Sequence, residues 1–62
     1  MSNKLYIANI DAISNRNYEI KFTVSQIAYA ETKEDAERKI RDWFYKKYSL
    51  SSIDDFEIDE CL

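Results

Sequence analysis

Residues 53–62 read IDDFEIDECL, and the fold turns on whether they form a strand or a loose acidic tail. The stretch holds Asp54, Asp55, Glu57, Asp59 and Glu60 and no basic residue. Phe56 and Ile58 lie among these acids at a spacing of two, the period of a strand whose faces differ. A disordered tail has no use for that alternation. The reading is therefore a short third strand, with Phe56 and Ile58 inward and Asp55, Glu57 and Asp59 outward. Charges on an edge strand also discourage sheet-to-sheet aggregation.

Working back toward the N-terminus, SLSS links this strand to the stretch ETKEDAERKIRDWFYKKYS, which reads as a helix. Thr32 is the expected N-cap, with Asp35 three residues on as a shortened capping box. Ala36, Ile40, Trp43, Phe44 and Tyr48 fall on one stripe of a 3.6-residue period. Acids occupy the first turns and Lys46 and Lys47 the last, matching the helix dipole. Glu34–Arg38, Asp35–Lys39, Glu37–Arg41 and Asp42–Lys46 are candidate i, i+4 pairs.

Before the helix, NYEIKFTV alternates cleanly, with Tyr18, Ile20, Phe22 and Val24 on one side. At SQIAYA the phase slips, because Ile27 and Tyr29 occupy odd positions. Either a bulge near Ser25–Gln26 returns them to the first face, or they emerge on the other face as a second apolar surface. Further back, KLYIANIDAIS alternates with apolar residues on both sides, as a central strand does. The polar SNRN, Ser14 to Asn17, reads as a hairpin turn between the two.

The expected fold is α+β: a three-stranded, mainly antiparallel sheet with one helix on one face, in the order β-β-α-β. A doubly apolar first strand favours the spatial order 2-1-3. The alternative, 3-2-1, requires a parallel pair and a right-handed crossover. One helix covers one face, so the other is solvated or is a contact surface.

Length and composition bound the rest. Residues 1–62 form a single small domain, close to the lower limit for unaided folding. With one Cys and no His, an internal disulfide is excluded and a structural zinc site is not expected. Nine aromatics (three Phe, five Tyr, one Trp) offer the core its bulk. Zero Gly rules out glycine-rich phosphate loops. A net charge of −3 weighs against a general nucleic-acid binder. No stretch approaches the ~20 apolar residues of a membrane span. Together with the lone Cys, this leads to the expectation of a cytoplasmic protein without cofactors.

From Tyr18 to Ile58 the chain resembles the DpnD/PcfM-like small domain. The matching features are the strand YEIKFTVSQIAYA, the helix start AETKEDAERKI, the aromatic helix end DWFYKKY and the following DDFEI. The resemblance implies a phage or mobile-element setting, hence a host-cell cytoplasm, and supplies no active site.

Catalysis is not expected. Without His, a general base near neutrality must be a strongly shifted carboxylate or Lys in a deep dry pocket, for which this chain has little volume. The leading expectation is a non-enzymatic binding module that blocks a host nucleic-acid-handling defence protein. Asp54, Asp55, Glu57 and Asp59 would meet its basic surface, and the off-stripe Tyr45 is a candidate anchor. Outward acids on a strand recur every ~6.6–6.8 Å, about twice the phosphate spacing along one DNA strand. They are also ordinary on a solvated edge. A second reading is nucleic-acid binding through Arg38, Arg41, Lys46, Lys47 and Tyr45. A third is a homodimer through the uncovered sheet face. Cys61, near the terminus with no His or Lys beside it, reads as an unactivated thiol.

Overall fold

In the computed structural model, residues 3–14 and 20–61 are described. Four elements follow one another: β1 (Lys4–Ser14), β2 (Ile20–Ala30), α1 (Lys33–Lys47) and β3 (Ser51–Cys61). The expected hairpin turn at SNRN lies, beyond Ser14, outside the described residues. The sheet has the order β2-β1-β3, with β1 antiparallel to both neighbours. This is the α+β fold and the strand order expected from a first strand that is apolar on both sides.

β1 and β2 pair without interruption, from Lys4 opposite Ala30 to Ser14 opposite Ile20. An unbroken ladder leaves no room for a bulge at Ser25–Gln26. Of the two readings of the phase slip, the second holds: Ile27 and Tyr29 stand on the face away from the helix, 52% and 61% exposed. The bulge is in β3 instead. Asp11 faces Asp55 while Ala12 faces Ile53, so Asp54 is the extra residue. It resets the phase so that Ile53, at an odd position, shares a face with Phe56 and Ile58. β3 is also longer than expected, because Ser51 and Ser52 continue the ladder opposite Ser14 and Ile13.

The helix begins as its sequence dictates. The Thr32 side chain accepts a hydrogen bond from the Asp35 N–H at 3.2 Å, satisfying one of the unpaired first-turn donors. At the other end the Tyr48 N–H donates to the Phe44 carbonyl at 2.7 Å, and the Ser51 N–H to the Tyr48 carbonyl at 3.0 Å. The chain thus turns from helix to strand without glycine, and no described residue has a positive φ.

α1 crosses the face built from the even-numbered residues of β1 and β2. Ala36, Ile40 and Phe44 of the helix are buried there against Tyr6, Ala8, Ile10, Ala12, Ala30 and Ile58. Four of these nine are alanines, so the helix backbone approaches the sheet closely. The aromatics do not fill the centre as the composition suggests. Only Tyr6 and Phe44 are buried among those described. Phe22, Phe44 and Tyr48 instead form a cluster toward the helix C-terminus, with centroids 5.1–6.5 Å apart, and Trp43 meets Tyr48 edge-on at 6.2 Å.

Candidate functional site

The odd-numbered residues of β1 and β2, and those of β3 from Asp55 onward, face away from the helix, and their register arranges them in rows. Asp11 of β1 sits between Thr23 and Asp55, Asn9 between Ser25 and Glu57, Ile7 between Ile27 and Asp59, and Leu5 between Tyr29 and Cys61. The uncovered face therefore has two zones. At one end Leu5, Ile7, Ile27 and Tyr29 form an apolar area. Beside and beyond it, Asp59, Glu57, Asp55 and Asp11 form an acidic band.

The band is held by the sheet rather than by flexible side chains alone. Thr23 Oγ1 donates to Asp11 Oδ1 at 3.0 Å, and Ser25 Oγ donates to Asn9 Oδ1 at 2.6 Å. Neighbouring strands lie about 4.8 Å apart and successive outward residues about 6.7 Å apart, which sets the spacing of the carboxylates. Asp11 and Asp55 are direct cross-strand partners, a like-charge arrangement that is destabilising in a sheet. Asp11 was not among the acids singled out from the sequence. It joins them only through the long-range register of β1 with β3, for which its own neighbours give no signal.

Of the expected contact residues, Asp55, Glu57 and Asp59 share this face. Asp54 is exposed at the bulge, just beyond the band. Tyr45 is elsewhere: it is 46% exposed on α1, edge-on to Phe44 at 5.5 Å, on the opposite side of the sheet. Glu60 points to the helix side of β3 and pairs with Lys4 at 3.8 Å.

Arg38, Lys39, Arg41, Lys46 and Lys47 of the helix have partners of their own. Arg38 pairs with Asp35 and Lys46 with Asp42. Arg41 pairs with Glu37 at 3.0 Å and lies over the Phe56 ring at 4.5 Å. Lys47 lies within 5.4 Å of the Trp43 ring centroid. Two of the four expected i, i+4 pairs are replaced. Asp35 takes Arg38 at i, i+3, and Lys39 turns away to donate to the Tyr29 carbonyl at 2.9 Å. The short Asp side chain reaches the nearer residue, and the edge carbonyl offers Lys39 an acceptor the helix does not.

A surface cavity of about 460 Å³ opens beside the helix C-terminus, lined by Ile20, Phe22, Tyr48 and Leu50 with Lys47 at its rim. Its described lining contains no carboxylate. Among the described residues no three carboxylate or thiol groups are gathered to hold a metal ion. No described helix is long and apolar enough to cross a membrane.

No family model, no curated protein and no solved structure matches the chain. The resemblance to DpnD/PcfM-like domains rests on the sequence patterns of the strand, the helix start, the aromatic helix end and DDFEI.

Proposed function

We propose that the chain is a non-enzymatic binding module whose uncovered sheet face docks on a protein with a basic surface. The observation that carries this reading is the acidic band of Asp11, Asp55, Glu57 and Asp59 adjoining the exposed Ile27 and Tyr29 and the half-buried Leu5 and Ile7. An apolar area supplies contact energy, and flanking charges supply orientation and selectivity. The Asp11–Asp55 juxtaposition supports the reading further. It works against folding, and a cation brought by a partner would relieve it.

Two other readings fare worse on physical grounds. Nucleic-acid binding through α1 requires Arg38, Arg41 and Lys46 to give up carboxylates they already hold, and Lys47 an aromatic contact. A homodimer formed by stacking two uncovered faces would remove several carboxylates per copy from water with only Lys21 on that face to meet them, a cost of several kcal/mol per unpaired buried ion. A nucleic-acid-handling defence factor as the target, and a mobile-element setting, follow from the resemblance of residues 18–58. They are proposed on that footing.

The test is comparative capture. The tagged chain and a variant with Asp54, Asp55, Glu57 and Asp59 all changed to Lys are exposed to lysate of the cell of origin, with folding of both checked by circular dichroism. A partner retained by the parent and lost by the folded variant is the expected result. Equal retention by both would remove the acidic band from the account. Binding of the parent to DNA or RNA at low salt, lost steeply as salt rises, would favour the helix cations instead.

A further inference from the structure

We propose that the chain also self-associates edge to edge, through antiparallel pairing of β2 with β2 of a second copy about a two-fold axis at Thr23. The argument starts from two hydrogen bonds. Gln26 Oε1 accepts from the Ile27 N–H at 2.9 Å, and Lys39 Nζ donates to the Tyr29 carbonyl at 2.9 Å. In an antiparallel strand a residue's N–H and C=O point to the same side. Both groups are bound by side chains rather than by β1, so they face the open edge of β2. The other odd-numbered residues of β2 face that edge with them.

These two side chains close the edge from Ile27 onward. Upstream, the backbone groups of Lys21, Thr23 and Ser25 face the edge with no partner among the described residues. Three free residues define a register. Centred on Thr23, Lys21 of each copy meets Ser25 of the other, and Thr23 meets Thr23. Each such pair exchanges two hydrogen bonds, about six in all. On the helix side Phe22 comes opposite Val24 of the second copy, an aromatic–β-branched pair that favours sheet formation. No charge meets a like charge directly across the axis.

Charge decides why the occupant is a second copy and why β2 is the edge used. The chain carries a net charge of −3, and the acids of β3 lie on the far side of the sheet from β2. β2 holds one charged residue, Lys21. Pairing through β2 gives the order β3-β1-β2-β2-β1-β3, which holds the two acidic strands as far apart as a continuous sheet allows. The β3 edge is blocked by its own acids and by the bulge at Asp54, both devices that stop strand addition. β2 also carries Ile20, Ile27 and Tyr29, three of the five large exposed hydrophobics of the described residues, and its open edge lacks the acids and the bulge that block β3. The proposal does not depend on the acidic face having a partner.

The experiment places single cysteines in a Cys61→Ser background. Thr23→Cys brings two thiols together across the axis at a Cα separation of about 5.5 Å, inside the disulfide range of about 4.4–6.8 Å. Mild oxidation should give a covalent dimer, while Ile27→Cys in the same background should stay monomeric. Dimer at Ile27→Cys and none at Thr23→Cys would overturn the edge geometry in favour of stacked faces. Thr23→Lys, an exposed change on the side away from the core, should leave circular dichroism unchanged. It should raise the dimer dissociation constant by up to about fivefold in sedimentation equilibrium, because it sets like charges opposite each other. A parent chain that remains monomeric at its highest soluble concentration rejects the proposal outright.

Discussion

The two faces of this sheet are built from alternate residues of the same strands and follow opposite rules. On β1 the even positions Tyr6, Ala8, Ile10 and Ala12 are at most 4% exposed, while Asn9 and Asp11 between them are exposed. The covered face is dry, small-residue packing under a helix. The uncovered face mixes isoleucines, a tyrosine and a band of carboxylates, and no helix covers it. A sheet needs only one covered face to fold when the other meets water. What stands on the second face is therefore free to be chosen for other reasons, including reasons that cost stability.

The sharpest separation of the two faces comes from Phe44. It is fully buried and joins the helix to Phe22 and Tyr48. Phe44→Ala should cost about 3–5 kcal/mol, from lost transfer energy and the cavity left behind. In a chain of 62 residues that is a large part of a total stability of roughly 0.05–0.15 kcal/mol per residue. Urea denaturation should show a midpoint far below that of the parent. A midpoint close to that of the parent would mean that the helix contributes little to the fold.

Next in size is the reverse change, overpacking. Ala8 is 0% exposed and lies opposite Gln26 and Ile58 on the helix side of the sheet. Ala8→Leu inserts three carbons where the helix sits close, at a cost of about 1–3 kcal/mol. The neighbouring Asn9→Leu, on the uncovered face, should lie within about 0.5 kcal/mol of the parent. Equal costs at the two positions would erase the distinction between the faces.

Much of this division was legible in the letters. The alternation of Tyr18–Val24, the stripe from Ala36 to Tyr48 and the doubly apolar KLYIANI lead to the β-β-α-β order and the central β1. The slip at Ile27 was visible too, but two local geometries produce the same phase change, and only the ladder with β1 distinguishes them. The bulge in β3 leaves the same kind of trace, since Ile53 is out of phase with Phe56 and Ile58. Asp11 was different in kind. Its place in the acidic band depends on a pairing with Asp55 across 44 residues of chain, and nothing in its own neighbourhood encodes that register. Tyr45 shows the converse limit. Being off the helix stripe places it in solvent, but not on the same side as the acids.

The smallest expected effect is also the most diagnostic, because its sign differs between the two properties it touches. Asp55 stands directly opposite Asp11. Asp11 has a hydroxyl donor in Thr23, so removing the charge at Asp55 leaves that bond in place. Asp55→Asn keeps the shape, ends the like-charge opposition and should stabilise the fold by about 0.2–1 kcal/mol, seen as a raised urea midpoint that converges with the parent's as salt screens the repulsion. If the acidic band is a docking surface, the same substitution should weaken partner capture. A variant that is more stable and binds less would show that the carboxylate is kept for recognition at the expense of folding. A variant that is less stable would mean that Asp55 has a supporting role within the sheet. One that is more stable and binds equally well would leave the apolar end, Leu5, Ile7, Ile27 and Tyr29, as the part of the face that matters.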